Sequence, residues 1–370
     1  MKHEFWAEFD LYGTQDKRRA IEAFVGKQPL FSLWENITDE AARQAMLAQL
    51  LPTEEECARR TKCKDYVKGK NGLQRWYYAG DLRNPRGVFQ TFLYKRIRCM
   101  ASILGLANHK AAINSPIPDL SIFPTGSWAM QVHFTLRKPY LSKDDVDFYI
   151  IDNPVKKEWV FKVPYVASSQ WKGALRAAMV RELVEEQLEP EEFAKRRYRL
   201  VLLFGDEKGE EPGSIKGLAE YLDRMGGQEA AQHFRKMVRE HFGVPDDKPM
   251  PHFRGRLHFY PTFFDRIGLE AINPHPRDTG AGKNPLYFEC VPAGTSGIFT
   301  LLYVPLDAGP KDEATADFKA VARGVRAMLT TYGFGAKTSS GYGVADVLKN
   351  QSQIVPPDLE KVFWKAWEEK

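Results

Sequence analysis

Four glycines crowd the eleven residues 333–343, within the run Thr331-Tyr332-Gly333-Phe334-Gly335-Ala336-Lys337-Thr338-Ser339-Ser340-Gly341-Tyr342-Gly343. Neither a helix nor a strand tolerates that density, because each glycine adds backbone freedom and can take left-handed conformations that other residues avoid. A helical pattern over about 313–331 precedes the run and an apolar segment near 343–348 follows it, so the chain must pass there from helix through turn into strand. Gly333, Gly335, Gly341 and Gly343 can expose backbone amides, and Lys337 stands beside the hydroxyls of Thr338, Ser339 and Ser340, a mixture able to cradle phosphate. A plain turn has the same composition. A Walker A loop does not: it follows a strand and needs glycine before Lys-Ser/Thr, whereas this run follows a helix and has Ala336 there, so no nucleotide cofactor is expected.

Upstream, 128–136 alternates as a strand does, with Met130, Val132, Phe134 and Leu136 on one face. An acidic loop follows (Asp144, Asp145, Asp147, Asp152), then a helix over about 169–187 and a mixed charged stretch to about residue 251, in which about 206–250 reads as an insertion. Strands are expected near 255–260, 287–291 and 297–304, ahead of the helix and the glycine run. Strand, helix, strands, helix, strand is an α+β order, the βαββαβ pattern of a ferredoxin-like or RNA-recognition-motif domain, expected over residues 121–350. Ser115-Pro116-Ile117-Pro118 marks the joint before it, and a short helix in 351–370 closes the chain with Leu359, Phe363 and Trp367 on one side.

The net charge of +5 over 370 residues is unevenly placed. Twelve Lys and Arg stand against two acids, Asp65 and Asp81, between Arg59 and Arg98, about +10, so the remainder sums to about −5. Tyr66, Trp76, Tyr77, Tyr78, Phe89, Phe92 and Tyr94 interleave with these cations, among them Arg59, Arg60, Arg75, Lys95 and Arg96. Cations for phosphate and flat rings for bases suit single-stranded nucleic acid, and a solvated basic face over core aromatics has the same pattern. Residues 1–120 are therefore expected to form a basic, mainly helical region, with an amphipathic helix over about 34–51. Cys57, Cys63, Cys99 and Cys290 form neither a disulfide framework nor paired CxxC zinc spacing, which fits a reducing cytoplasm. No apolar run reaches spanning length, so no membrane partner is expected.

A second constellation begins at Ile151-Asp152-Asn153-Pro154-Val155 and continues through Pro164-Tyr165-Val166-Ala167-Ser168-Ser169-Gln170-Trp171-Lys172-Gly173-Ala174-Leu175-Arg176. Ser168 or Ser169 can cap a helix whose amides and macrodipole attract an anion, and Lys172 and Arg176, four apart, share one face of its first turns. Such an arrangement can serve as a phosphate-backbone grip. Leu175, Met179 and Leu183 repeat every four residues and read as core. Asp152 suits either chemistry or an Asx turn ahead of Pro154.

In this order the motifs resemble the RAMP superfamily of CRISPR-associated proteins, in particular the Cas7-like subunits of type III effector complexes, over roughly 121–350. Three features carry the resemblance: the terminal glycine loop GFGAKTSSGYG; the Asp-Asn-Pro-Val element leading to a Pro-Tyr-Val turn and a serine-containing helix start; and Arg254-Gly255-Arg256-Leu257-His258-Phe259-Tyr260. The last, with Asn273-Pro274-His275 and Phe288-Glu289-Cys290-Val291 downstream, looks like the middle strands of Cmr6-type and Csm5-type members. Where many members read Pro-Gly-Ser-Ser-Leu-Lys-Gly, this chain has Ala167-Ser168-Ser169-Gln170-Trp171-Lys172-Gly173 and lacks the Pro-Gly bend. The resemblance implies a subunit of an antiviral ribonucleoprotein that binds crRNA and target RNA beside Cas10-, Cas5-, Cas7- and Cas11-like subunits. Ser168, Ser169, Lys172, Arg176, Gly333, Gly335, Lys337, Gly341 and Gly343 would contact RNA.

Asp152 falls where cleaving members carry an essential aspartate, which implies endoribonuclease action on target RNA with Mg2+ or a similar divalent cation; Asp144, Asp145 and Asp147 could help hold the ion. Cmr6-type members are regarded as non-cleaving, so a purely structural subunit is the alternative. A Cas6-like guide-processing nuclease with a histidine base is a third reading. His3, His109, His133, His233, His241, His252, His258 and His275 are the candidates, and none sits in a recognisable catalytic pair.

Overall fold

The structure, a computed structural model, describes residues 88–105, 107–109, 112–114, 116–143, 153–207, 210–211, 214–250, 252–273, 286–305 and 311–368. Its helices are α1 (Val88–Ile103), α2 (Ser168–Glu185), α3 (Pro190–Phe204), α4 (Gly217–Phe242), α5 (Lys311–Arg326) and α6 (Leu359–Glu368). Its strands are β1 (Ala107–His109), β2 (Ala112–Asn114), β3 (Trp128–Leu136), β4 (Tyr165–Val166), β5 (Glu210–Glu211), β6 (Ser214–Ile215), β7 (Leu257–Phe259), β8 (Thr262–Phe263), β9 (Gly268–Ile272), β10 (Leu286–Cys290), β11 (Ser296–Tyr303), β12 (Ala345–Val347) and β13 (Gln353–Val355). Contacts divide the described residues into two units, one drawn from 116–138, 166–262 and 296–368, the other from 88–114, 139–165 and 263–295.

The first unit is built on an antiparallel sheet of order β12-β3-β11-β7, with β13 pairing to β3 as well. The β3–β11 register sets Trp128 opposite Tyr303, Val132 opposite Phe299 and Phe134 opposite Gly297. The alternating strand expected over 128–136 is β3, and its face Met130, Val132, Phe134 and Leu136 is buried. Leu175, Met179 and Leu183 of α2 are buried as their spacing implied. Gly324 of α5 stands where a Cβ would lie 2.9 Å from Met179 Sδ and 3.3 Å from Leu175 Cδ1, so a bare backbone is what lets α5 approach α2.

Charge is used inside this unit as a fastener. Arg256, just ahead of β7, is 3% exposed and places Nη1 2.7 Å from Glu313 and 3.2 Å from Asp317 of α5. Tyr303 Oη donates to the same Asp317 at 2.9 Å while its ring stacks on Trp128 at 4.8 Å. The edge strand, the central strands and the helix are thereby tied through one set of polar contacts.

The charged stretch after α2 proves largely helical, forming α3 and α4. Its central charge is not solvated. Arg197 is fully buried, donates to Glu207 through Nε at 3.1 Å and Nη2 at 2.7 Å, reaches Asp223 of α4 at 2.6 Å, and lies 4.0 Å from the Phe234 ring centroid.

In the second unit, β1 and β2 form a hairpin after α1, and β9 pairs with β10. The strand expected near 287–291 is β10, which pairs with β9 in a ladder separate from the main sheet, Cys290 facing Gly268 and Leu286 facing Ile272. Tyr140 and Val291 exchange both backbone hydrogen bonds, at 2.9 and 3.0 Å. Of the basic N-terminal region, only α1 and the β1–β2 hairpin fall within the described residues; the helix expected over 34–51 lies outside them. Among the described residues no helix is long and apolar enough to cross a membrane.

Removing one partner of a buried charge set leaves the others unpaired in a low dielectric. Arg197→Met is expected to lower unfolding stability by about 3–5 kcal/mol, read from the urea midpoint. A loss below about 1 kcal/mol would show that Glu207 and Asp223 do not need it.

Candidate nucleic-acid interface

The glycine run closes on itself. α5 ends in a wider turn, Ala327–Tyr332, where the Gly333 N–H donates to Met328 O at 2.9 Å. The Phe334 N–H then donates to Gly343 O at 3.1 Å. Gly333 and Gly343 have φ of 76° and 72°; a Cβ on Gly333 would lie 2.5 Å from Tyr342 O, and one on Gly343 would collide with Phe334 O. These two positions therefore require glycine, both for backbone conformation and for space. Between them, Lys337 itself takes a left-handed φ of 57°, and Thr338–Ser340 make a short turn closed by the Gly341 N–H donating to Thr338 O at 2.8 Å.

The loop is pinned from beneath by Phe334, which is 1% exposed. Its ring centroid lies 4.4 Å from Trp171 of α2 and 5.6 Å from Phe134 of β3, and Trp171 in turn packs on Phe299 of β11 at 5.0 Å. The buried indole N–H of Trp171 donates to Thr262 Oγ1 at 3.0 Å, which satisfies the polar edge of the ring. One aromatic junction thus joins the loop, the sheet and the first turn of α2, bringing together two motifs about 160 residues apart in sequence.

At the helix start, Ala167 occupies the cap position in extended geometry, and Gln170 Oε1 accepts the Ala167 N–H at 2.9 Å. The expected cap, Ser168 or Ser169, is corrected by this arrangement: both serines are already inside α2, because the glutamine side chain at the third helical position holds the chain entry. Ser168 is half-buried and Ser169 exposed. Lys172 and Arg176 follow on one side of the helix, both half-buried. Burial, then the charge of Arg176, pushes the Lys172 ammonium below its ordinary value, while Asp206 opposes the shift.

Three further basic residues lie here that sequence reasoning did not assign to this site, although it had named Arg254 and His258 in other settings. Lys138, leaving β3, lies with its ammonium 2.9 Å from where a Cβ on Gly341 would sit, so its stem crosses the glycine loop. Arg254 is exposed, and His258 on β7 is held below its ordinary value by burial, then by Arg254 and Lys172. Asp206, the acid among them, takes His252 Nδ1 at 2.8 Å. Strand period alone would put Arg254, Arg256 and His258 on one face, yet Arg256 is buried against Glu313 and Asp317 while Arg254 and His258 stay exposed.

A family model described as RAMP superfamily matches residues 147–346, more than half of the chain and including both motifs. The chain belongs to the RAMP superfamily. No curated protein matches its sequence. Among solved structures, this RAMP chain is similar to a chain of the Type III-B Cmr-beta assembly bound to cognate target RNA, at 11% identity over 91% of this chain and 88% of the other, with a TM-score of 0.35. It is also similar to Cmr6 from Pyrococcus furiosus, at 18% identity over 60% of this chain and 99% of that one, TM-score 0.30. A chain of a CRISPR RNA-guided surveillance complex in a pre-nicking state matches at 12% identity over 59% and 76%, TM-score 0.30.

Of the other residues singled out in the sequence, Asp144, Asp145, Asp147, Asp152, Arg59, Arg60 and Arg75 lie outside the described residues, while Lys95 and Arg96 lie in α1, Arg96 half-buried. The chain leaving Asp152 is held to β10: Asn153 Nδ2 donates to Tyr287 O at 3.2 Å, and the Glu289 N–H donates to Asn153 O at 2.9 Å. Val155 N–H donates to Glu289 Oε2 at 3.2 Å, and that buried carboxylate also pairs with the Lys157 ammonium. Among the described residues no group of three His, Cys, Asp or Glu is placed to hold a metal ion.

His258 reports the electrostatics of this cluster of basic residues. Burial first, and then the charges of Arg254 and Lys172, disfavour the imidazolium and lower its midpoint from the ordinary value. An NMR titration is expected to give that lowered midpoint, and Lys172→Ala to move it up towards 6.5. An unmoved midpoint would separate Lys172 from the cluster.

Proposed function

We propose that this chain is an RNA-binding, Cas7-like subunit of a type III CRISPR ribonucleoprotein. The observation that carries the reading is the Trp171–Phe334 contact, which fixes the cationic first turns of α2 and the glycine loop to one rigid support. Backbone amides of a loop with several left-handed residues, together with Lys337, Lys138, Lys172 and Arg176, suit a chain of phosphates and carry no base code. Sequence reading then belongs to guide–target base pairing, and the protein reads backbone and shape. The antiparallel order β12-β3-β11-β7, with α2 before β7 and α5 between β11 and β12, supports a ferredoxin-like core elaborated by α3 and α4.

Within this reading Asp152 orients or deprotonates the 2′-hydroxyl of target RNA for attack on the adjacent phosphate, and a divalent cation would supply charge stabilisation at that phosphate. The residues that follow Asp152 are held in place, Asn153 to β10 and Val155 to Glu289, which supports this reading.

Lys172→Ala/Arg176→Ala is expected to weaken binding of every single-stranded RNA sequence alike and to reduce the slope of log affinity against log salt by about 1.4, two phosphate contacts' worth. Wild-type affinity and slope in a variant whose circular dichroism is unchanged would contradict the grip. Asp152→Ala is expected to leave RNA affinity intact while abolishing magnesium-dependent cutting of target by the assembled complex; retained cutting would remove Asp152 from the chemistry.

A further inference from the structure

The segment after Lys157 folds into a short hairpin whose tip carries apolar side chains into solvent. Trp159 is 68% exposed and Val160 65% exposed, although tryptophan is among the most heavily buried residue types on average. The tip is rigidly made. Glu158 Oε2 accepts the N–H groups of Val160 at 2.9 Å and Phe161 at 2.6 Å, the Lys162 N–H donates to Glu158 O at 2.9 Å, and the Glu158 N–H donates to Val163 O at 2.8 Å. Lys162 turns the chain with a left-handed φ of 57°, and Lys157 and Pro164 close the base as a β-bridge. The Glu158 carboxylate is thus engaged with the backbone, and the Lys162 ammonium lies 4.6 Å from the centre of the Trp159 ring. Lys156, half-buried, flanks the base of the turn.

A preorganised turn that presents a flat ring with a cation on it is the combination that stacks a nucleobase while pairing its phosphate. A hydrophobic protein partner would match Trp159 and Val160 equally well but would leave the ammonium at 4.6 Å to be desolvated without a counter-charge, whereas a nucleotide supplies both the ring and the anion. We propose that the Trp159–Lys162 tip is a stacking platform for an unpaired base of bound single-stranded RNA, with Lys162 against the neighbouring phosphate. The proposal rests on the RNA-binding reading above and adds to it a contact that senses bases rather than backbone alone.

The test uses the full chain and two fluorescein-labelled strands of equal length, an oligouridylate and an abasic ribose-phosphate strand. Wild type is expected to prefer the base-bearing strand; Trp159→Ala to lose about tenfold in affinity for it and little for the abasic one, as expected for loss of one stacked base; and Trp159→Phe to recover most of the loss. Trp159 is exposed, so an unchanged melting curve checks that the fold is intact. Wild-type affinity in Trp159→Ala, or an equal loss on both strands, overturns the platform. If Lys172→Ala/Arg176→Ala still weakens both strands in that case, the RNA-binding reading stands and only the platform falls. Wild type binding neither strand would bring down both. Unchanged RNA affinity in Trp159→Ala with loss of a co-purifying subunit would assign the tip to a protein contact and overturn the proposal.

Discussion

The packing of Trp171 on Phe334 is the contact on which the candidate interface depends. Each ring alone is an ordinary core residue, and truncating one of this size costs about 3–5 kcal/mol. Their position gives the contact its consequence. Phe334 sits inside the glycine loop, Trp171 sits in the first turn of α2, and Phe134 and Phe299 beneath them belong to the two central strands. The loop has little regular hydrogen bonding of its own and would otherwise sample many conformations. Anchoring its one buried ring converts a run of permissive residues into a fixed set of amide directions beside a fixed pair of cations.

Buried charge sets brace each unit from within. Arg256 binds the edge of the sheet to α5, Arg197 binds α3 to α4 and to the turn at Glu207, and Glu289 holds Lys157 and the Val155 amide near the chain that leaves Asp152. Such pairs contribute little net stability compared with apolar packing of equal volume, yet they penalise any arrangement that leaves a member unpaired. The exposed cations Lys138, Arg254 and Lys337 belong to the unit that Arg197 and Arg256 brace.

Much of this was legible in the sequence because it rests on periodicity and on glycine. The alternation of 128–136 gave β3, the four-residue spacing of Leu175, Met179 and Leu183 gave the buried stripe of α2, and the glycine run located a turn between α5 and β12. What stayed hidden was tertiary. Arg197 occupies a core position of α3, so a buried stripe read as a charged stretch, and only Glu207 and Asp223 make that arginine a core residue. Ser168 and Ser169 looked like caps because a serine at a helix start usually is one, but Gln170 reaches back and moves the start to Ala167. Residues 287–291 have strand character without saying which ladder they join, and their partner β9, Gly-Leu-Glu-Ala-Ile, has few of the β-branched and aromatic residues that mark a strand. Lys138, Arg254 and His258 joined the site only once β3, β7 and α2 were placed side by side.

The account's central claim is that the first turns of α2 and the glycine loop form one RNA-bearing surface. Ultraviolet crosslinking of the wild-type chain to single-stranded RNA, with the modified peptides mapped by mass spectrometry, addresses it most directly. The account predicts adducts in both 168–176 and 333–343, diminishing together as salt is raised. Adducts confined to one of these segments, or absent from both while RNA is still bound, would contradict it.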